Sequence, residues 1–348
     1  MKKLFSWALL ALILPMFIAS CSDKDDDAIP LDYTALNTAI DAAQVIHDNA
    51  IEGTEPLQYE VGSKAVLQAA IDQAVAVLSV ADLTQTSIDN AIVSLEQAVT
   101  TFESKLITDI APEALVGHWL FNGDANDVSG NGNNGTAMTG YEFWGAGVPT
   151  LVEDRFGNAN YCYHLDQGAN IEVPYSTALN PTNMTISLWI KMEEQENNDY
   201  MVSMNRWNGY KLNLQSDNFL FFTVKADEGG TDPAYYDRDS NPAAIAADVW
   251  THVTVSFTPG EMKFYVNGDM VKLWDNTPGS PVSVENIGLT FGSDLPNSVY
   301  SNDDTSPYYV NWGGFYKGAM DDIRFYNIAL TDTQVKSIYN FENENMQE

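Results

Sequence analysis

The sequence predicts a two-part chain: a small three-helix bundle followed by an antiparallel β-sandwich. Three observations carry that prediction. Residues 31–107 repeat apolar side chains at helical spacing and contain no Trp. After Leu115 the composition switches to Gly, Asn, aromatic and β-branched residues, and seven of the eight Trp lie between Trp119 and Trp312. Within that second part, Trp250 to Leu273 reads as strand, short turn, strand, tight turn, strand. Val253, Val255 and Phe257 alternate, then Met262, Phe264 and Val266, which is the period of a half-buried strand. Asn267-Gly268 separates two apolar runs, and both residues tolerate the positive φ of a two-residue hairpin.

Residues 1–20 begin with Lys2 and Lys3 and continue with an apolar run from Leu4 to Ile18, the pattern of a secretory signal. Ile18-Ala19-Ser20-Cys21 resembles a bacterial lipobox. The resemblance implies cleavage, a lipid on Cys21 and an outer-membrane anchor facing the cell surface. Residues 21–30 form the tether. Its run Ser22-Asp23-Lys24-Asp25-Asp26-Asp27 resembles the surface-export tags of some Gram-negative lipoproteins, and reads equally as a solvated spacer. Cys162 is then left unpaired, so no disulfide framework is expected, and a small buried apolar role suits it.

In 31–107, Leu36, Ile40, Ala43 and Ile46 mark one helix. Val66, Ala70, Ala74 and Val77 mark a second, and Ile88, Ile92, Leu95, Val99 and Phe102 a third. Ser63 and Thr84 are the expected caps. The run from Glu55 to Asp72 resembles the FIVAR-like helical modules of bacterial surface proteins, which implies a spacer. Residues 108–114, with Pro112, read as a linker to the domain at 115–348.

That domain shows many short strands with turn residues between them, the pattern of a sandwich or barrel. Two long segments read as loops: Asp227 to Asp248 and Asp294 to Tyr316. Gly117-His118-Trp119-Leu120-Phe121, Thr185 to Ile190, Trp250-Thr251-His252-Val253 with Tyr265 to Gly268, and Gly318 to Asn327 follow in order. They resemble the opening, central and closing motifs of a LamG-like domain. The resemblance implies a concanavalin A-like jelly roll with a helical tail at Asp332 to Phe341.

Net charge is -32, from 16 Lys and Arg against 48 Asp and Glu. Such a surface repels phosphate backbones, which excludes nucleic acid as a partner. Three constellations bear on function. The loop Asn122 to Gly135 sets Asp124, Asp127 and Asn131 among glycines, and oxygen ligands on a turning chain suit Ca2+. The LamG-like resemblance extends that set to Asp321 and Asp322. The same residues also serve as plain turn formers. Trp119, Trp189 and Trp250 fall at core positions. The aromatic and polar residues of the loops, Arg206, Trp207, Tyr235, Tyr236, Asp237, Arg238, Tyr309, Asn311 and Trp312, are the candidate ligand contacts. Rings stack on sugar C–H faces while amides, carboxylates and Arg meet hydroxyls. No paired-carboxylate strand, nucleophile elbow or zinc motif occurs, so no catalytic residue is expected. The leading expectation is a non-catalytic lipoprotein binding an extracellular glycan, with membrane contact only through its lipid. A protein-binding adhesive module is the alternative. A glycoside hydrolase or lyase with an unrecognised carboxylate pair is the third.

Overall fold

A computed structural model describes residues 30–53, 58–107, 110–193 and 199–344. The expected signal, lipidated Cys21 and all of the tether before Pro30 lie outside the described residues. The chain divides into two compact units, with the boundary after Thr108.

In the first unit three helices pack on one another: α1 (Thr34–Asn49), α2 (Ser63–Val77) and α3 (Gln85–Glu103). Each turns an apolar stripe inward. Leu36 and Ala43 come from α1, Leu67, Ile71 and Ala74 from α2, and Ile88, Leu95 and Phe102 from α3. Thr84 caps α3, its hydroxyl accepting the Ser87 N–H at 3.2 Å. Ser63 does not cap α2, because the helix already begins at Ser63, one residue after Gly62 at φ 95°. Glu52 supplies the acceptor instead, taking the Lys64 N–H at 2.7 Å.

The second unit is a sandwich of two eight-stranded antiparallel sheets. Its strands are β1 (Leu115–Trp119), β2 (Thr136–Met138), β3 (Thr150–Val152), β4 (Cys162–Leu165), β5 (Asn170–Val173) and β6 (Met184–Met192). Next come β7 (Asp199–Met204), β8 (Tyr210–Leu214), β9 (Phe219–Asp227), β10 (Ala234–Ala244) and β11 (Thr251–Thr258). The last are β12 (Gly260–Val266), β13 (Asp269–Thr277), β14 (Ser280–Pro281), β15 (Leu289–Phe291) and β16 (Gly318–Tyr326). The front sheet runs β10-β9-β8-β7-β15-β5-β2, with β14 on β9. The back sheet runs β13-β12-β11-β6-β16-β4-β3, with β1 on β16.

Alternating residues of both sheets fill the space between them. Trp119 is fully buried there and meets Phe291 edge-on at 4.8 Å. The central hairpin forms as expected: Val253 pairs with Val266, and Asn267 and Gly268 take φ of 51° and 75°. The closing helix α4 (Asp332–Glu344) packs on the outer face of the back sheet, where Leu330, Val335 and Ile338 bury against Tyr265 and Tyr326.

Two expectations are corrected. Of the supposed linker, Ile110 and Ala114 are buried in this same cluster, so they belong to the second unit. The supposed loop from Asp227 to Asp248 contains β10, an eleven-residue edge strand paired to β9. An edge strand uses one ladder only, so it admits the acidic residues and Pro242 that made the segment look irregular.

The two cap residues give a direct test in the first unit. Thr84→Ala should lower its stability by about 1 kcal/mol in chemical denaturation followed by circular dichroism, the usual worth of a cap. Ser63→Ala should leave it unchanged.

Candidate functional site

Directly opposite residues in a sheet share a face, so the register fixes a polar row across the outer side of the front sheet. It runs Thr136, Glu172, Thr290, Ser203, Lys211, Thr223, Asp237, one residue from each of seven strands. One step along the strands, the same face carries Asn213, Phe221 and Asp239. In the other direction it carries Lys225 and Tyr235.

Lys211 sits beneath this surface, 5% exposed. Its ammonium donates to Asn213 Oδ1 at 2.7 Å and lies 4.7 Å from the Phe221 ring and 5.2 Å from the Tyr200 ring. Burial pushes it down to about 8, with Asp237 and Asp294 pulling the other way. Sequence reasoning missed Lys211. In Tyr210-Lys211-Leu212-Asn213-Leu214 it reads as an ordinary outward residue of an alternating strand.

The segment after β15 folds over the middle of the row. Ser203 Oγ donates to Asp294 O at 2.8 Å, and Thr290 Oγ1 to Ser293 O at 2.7 Å. Asp294 is fully buried and accepts from Arg206 Nε, from Tyr300 OH at 2.5 Å and from Gly314 N–H at 3.3 Å. Burial raises its pKa, and the Arg206 guanidinium opposes that rise. Arg206 also donates to Pro307 O at 3.3 Å and Tyr309 O at 3.0 Å. With no exposed surface, Arg206 is the pin that fixes this loop, and the expectation that it contacts ligand is corrected.

Around that pin several expected residues come together. The Trp207 ring lies 5.4 Å from the Arg206 guanidinium. Next to it, Asn208 Oδ1 is 3.5 Å from Lys225 Nζ, which stands 5.3 Å from the Tyr235 ring. On the loop, Tyr309 and Trp312 meet at right angles, centroids 5.6 Å apart. Tyr235 and Trp312 are each 47% exposed, and Asn311 and Asp237 are exposed too. Asp237 accepts from Thr223 Oγ1 at 2.6 Å. Two residues part from this group. Tyr236 and Arg238 stand opposite Val224 and Phe222, on the inner face. Tyr236 is buried with its hydroxyl on Glu228. Arg238 lies between the Tyr236 and Trp274 rings at 5.5 and 5.0 Å and donates to Asn276.

The five proposed calcium ligands do not converge. Asp127 takes the His118 and Ser129 N–H groups at 3.0 and 2.9 Å on one oxygen and the Asn133 N–H at 2.9 Å on the other. Burial raises its pKa, but these bonds outweigh it and hold Asp127 below the usual carboxylate range. Asp124 accepts from Asn126, and Asn131 donates to Leu115 O. They shape the turn. Asp321 and Asp322 instead share Arg155, and Asp322 bonds His118 Nε2 at 2.6 Å. Ca2+ wants six to eight oxygens. Among the described residues no group of three or more His, Cys, Asp or Glu is arranged to hold a metal, and these carboxylates are already engaged, Asp127 by three N–H donors and Asp321 and Asp322 by Arg155 and His118.

Asp321 and Asp322 belong to a buried charge network under α4. Glu342 accepts from Arg324 Nε at 2.6 Å and Trp189 Nε1 at 2.7 Å. Burial raises Asp321 and Glu342. Asp322 is also pushed up by burial, but Arg324, His118 and Arg155 more than reverse it. Cys162 is buried and free, its thiol pushed up to about 12 by burial, which suits the apolar role expected for it.

With both sheets in view, the relatives can be set beside them. Residues 165–336 match the laminin G family model described as the concanavalin A-like lectin/glucanases superfamily. This segment is similar to concanavalin A-like domains. The LamG-like reading of the closing two thirds of the chain is thereby supported over those residues. A gellan lyase from Bacillus sp is 42% identical over 80 residues, which is 23% of this chain and 3% of that enzyme. The chain thus spans a small fraction of that relative. Among solved structures, domain 4 of AbnA, an extracellular arabinanase from Geobacillus stearothermophilus, in complex with arabinotriose, is 21% identical. It covers 65% of this chain and 98% of its own, with a TM-score of 0.48. The binding domain of Paraclostridial Mosquitocidal Protein 1 is 20% identical over 66% of this chain and 52% of its own, at 0.47. The binding domain of botulinum neurotoxin DC in complex with SialylT is 17% identical over 68% and 52%, at 0.45.

Two outcomes follow from the buried charges. Asp294→Asn should destabilise the second unit by about 3–5 kcal/mol, the cost of stranding one partner of a buried pair, read by chemical denaturation. A carboxyl raised on folding binds its proton more tightly in the native state, so its contribution to stability declines as pH rises from the carboxylate range toward neutrality. Glu342→Gln should flatten that decline in a series of denaturation midpoints against pH.

Proposed function

We propose that the second unit is a non-catalytic carbohydrate-binding module, displayed on the cell surface by a lipid at Cys21. The observation that carries the reading is the ring group on the outer front face. Exposed Tyr235 and half-buried Trp207 stand with Asn208, Lys225 and Asp237 on this face, and the loop pinned to Arg206 carries exposed Trp312 and Asn311 with half-buried Tyr309. Flat faces next to amides and a carboxylate suit the alternating C–H and hydroxyl surface of a sugar. The Arg206–Asp294 pin keeps the loop ordered before ligand arrives, which spares ordering entropy on binding. The surface location rests on the Ile18 to Cys21 pattern. No helix among the described residues is long and apolar enough to cross a membrane.

The non-catalytic part rests on how the facing carboxylates are used. Asp237 and Asp239 share the outer face two positions apart, but Asp237 accepts from Thr223 and Asp239 from the Asn241 N–H at 3.1 Å. A lyase reading has two observations in its favour: the gellan lyase segment and Lys211 held at about 8. Against it stands the burial of Lys211 beneath Phe221 and Tyr200.

A glycan array probed with residues 22–348 tests the reading. Trp312→Ala and Tyr235→Ala should each weaken binding to the captured glycan about tenfold, or 1.4 kcal/mol, while chelator changes nothing. Unaltered binding by both variants would falsify the site. Release of unsaturated sugar product would replace the reading with the lyase.

A further inference from the structure

The outer face of the back sheet carries a second, unassigned cleft. Thr150, His164, Ala319 and Lys191 stand in register across β3, β4, β16 and β6, so they share that face. Two residues before Lys191, the same face is occupied by Trp189 under Glu342 of α4. At Lys191 it opens into a cleft of about 470 Å³, within the roughly 300–1,000 Å³ of small-molecule sites.

The floor is low because Ala319 presents only a methyl group between His164 and Lys191. One wall is the turn before β11. Asp248, at φ 59°, donates its N–H to Met192 O at 2.7 Å, which holds Trp250 beside the cleft. The other wall is the turn after β3, with Glu153 and Asp154. His164 Nε2 bonds Glu193 at 2.8 Å, and Lys317 lies 3.9 Å from the same carboxylate. Asp154 is occupied by the Phe156 and Asn158 N–H groups at 2.8 Å. Among the described residues, Lys191 Nζ and the carboxylates of Asp248 and Glu153 have no such partner, and all three line the cleft.

We propose that this cleft binds an uncharged saccharide unit, as a second carbohydrate site on the sheet opposite the first. Trp250 offers the flat apolar face, Lys191 donates to a hydroxyl, and Asp248 and Glu153 accept from hydroxyls. Four carboxylates line the cleft against Arg155 and Lys191, and of the groups without a partner two are carboxylates and one is a cation, so a uronic acid is repelled. The site extends the carbohydrate reading to a surface that reading does not use, and its residues are distinct from those of the front face.

Fluorotryptophan-labelled protein separates the two sites, because Trp250 and Trp312 report independently by fluorine NMR once assigned with Trp→Phe variants. The probes are glucose, galactose, mannose, N-acetylglucosamine and glucuronate. The Trp250 signal should move saturably with at least one uncharged sugar and not with glucuronate. Lys191→Ala and Asp248→Ala, both at the surface, should each weaken that response about fivefold, and Trp312→Ala should leave it alone. A Trp250 signal that stays fixed while Trp312 moves overturns the cleft and leaves the front site standing. Movement of Trp250 alone supports the cleft. If neither signal moves, the cleft is overturned, and the front site stands or falls by the glycan array. An equal response to glucuronate overturns the proposed ligand class.

Discussion

A β-strand has two faces, and in a sandwich only one of them enters the core. That constraint settles most of what the second unit can do. Leu188 and Ile190 face inward on β6, so Trp189 and Lys191 must face outward. Trp189 is still buried, because α4 covers it. On β10 the same alternation divides a run of five polar and aromatic residues. Tyr235, Asp237 and Asp239 reach the outer surface, while Tyr236 and Arg238 close the edge of the core. A continuous cluster in sequence is thus two separate structures in space.

Charge burial is the second determinant. Removing a guanidinium or a carboxylate from water costs several kcal/mol, recovered only where geometry and further hydrogen bonds are complete. Arg206 meets that condition: Asp294 and the carbonyls of Pro307 and Tyr309 take its donors. The outcome is positional. One buried pair ties β7 to a long loop and sets where Tyr309 and Trp312 stand. The network under α4 answers the same problem differently. Asp321 and Asp322 are adjacent like charges on one Arg155, and such groups cannot ionise equally. Arg324 and His118 favour the ionised form of Asp322, and Asp321 is pushed the other way.

Local patterns were legible in the sequence where local physics decides them. The Asn267-Gly268 turn, the alternation of β11 and β12 and the Thr84 cap each depend on a few neighbouring residues. The fold class followed from many such signals agreeing, and the ring residues Trp207, Tyr235, Tyr309 and Trp312 were identifiable as polar-flanked aromatics. What was hidden depends on register between distant strands. Arg206 and Asp294 are 88 residues apart, and Arg155 and Asp321 are 166 apart. No spacing rule links them, so Arg206 read as a free loop cation and Arg155 did not stand out at all. The calcium set was ambiguous for a related reason. Asp and Asn among glycines serve ions and turns equally well, and only the observed N–H donors to Asp127 distinguish the two uses.

The balance of charge then constrains how a module of the proposed kind would hold a glycan. At a net charge of -32 the chain gains no long-range attraction toward acidic polysaccharide and suffers none of the repulsion when the glycan is uncharged. Attraction has to come from ring stacking and short hydrogen bonds at contact. Such contacts leave each site of modest strength, and gains come from multiplicity. Geometry decides which kind of multiplicity is open. Sites on the outer faces of two sheets packed roughly 10 Å apart point in opposite directions, with the full core between them. One stiff glycan chain cannot bend back to reach both, so a module carrying the two sites joins separate chains and does not grip one chain twice.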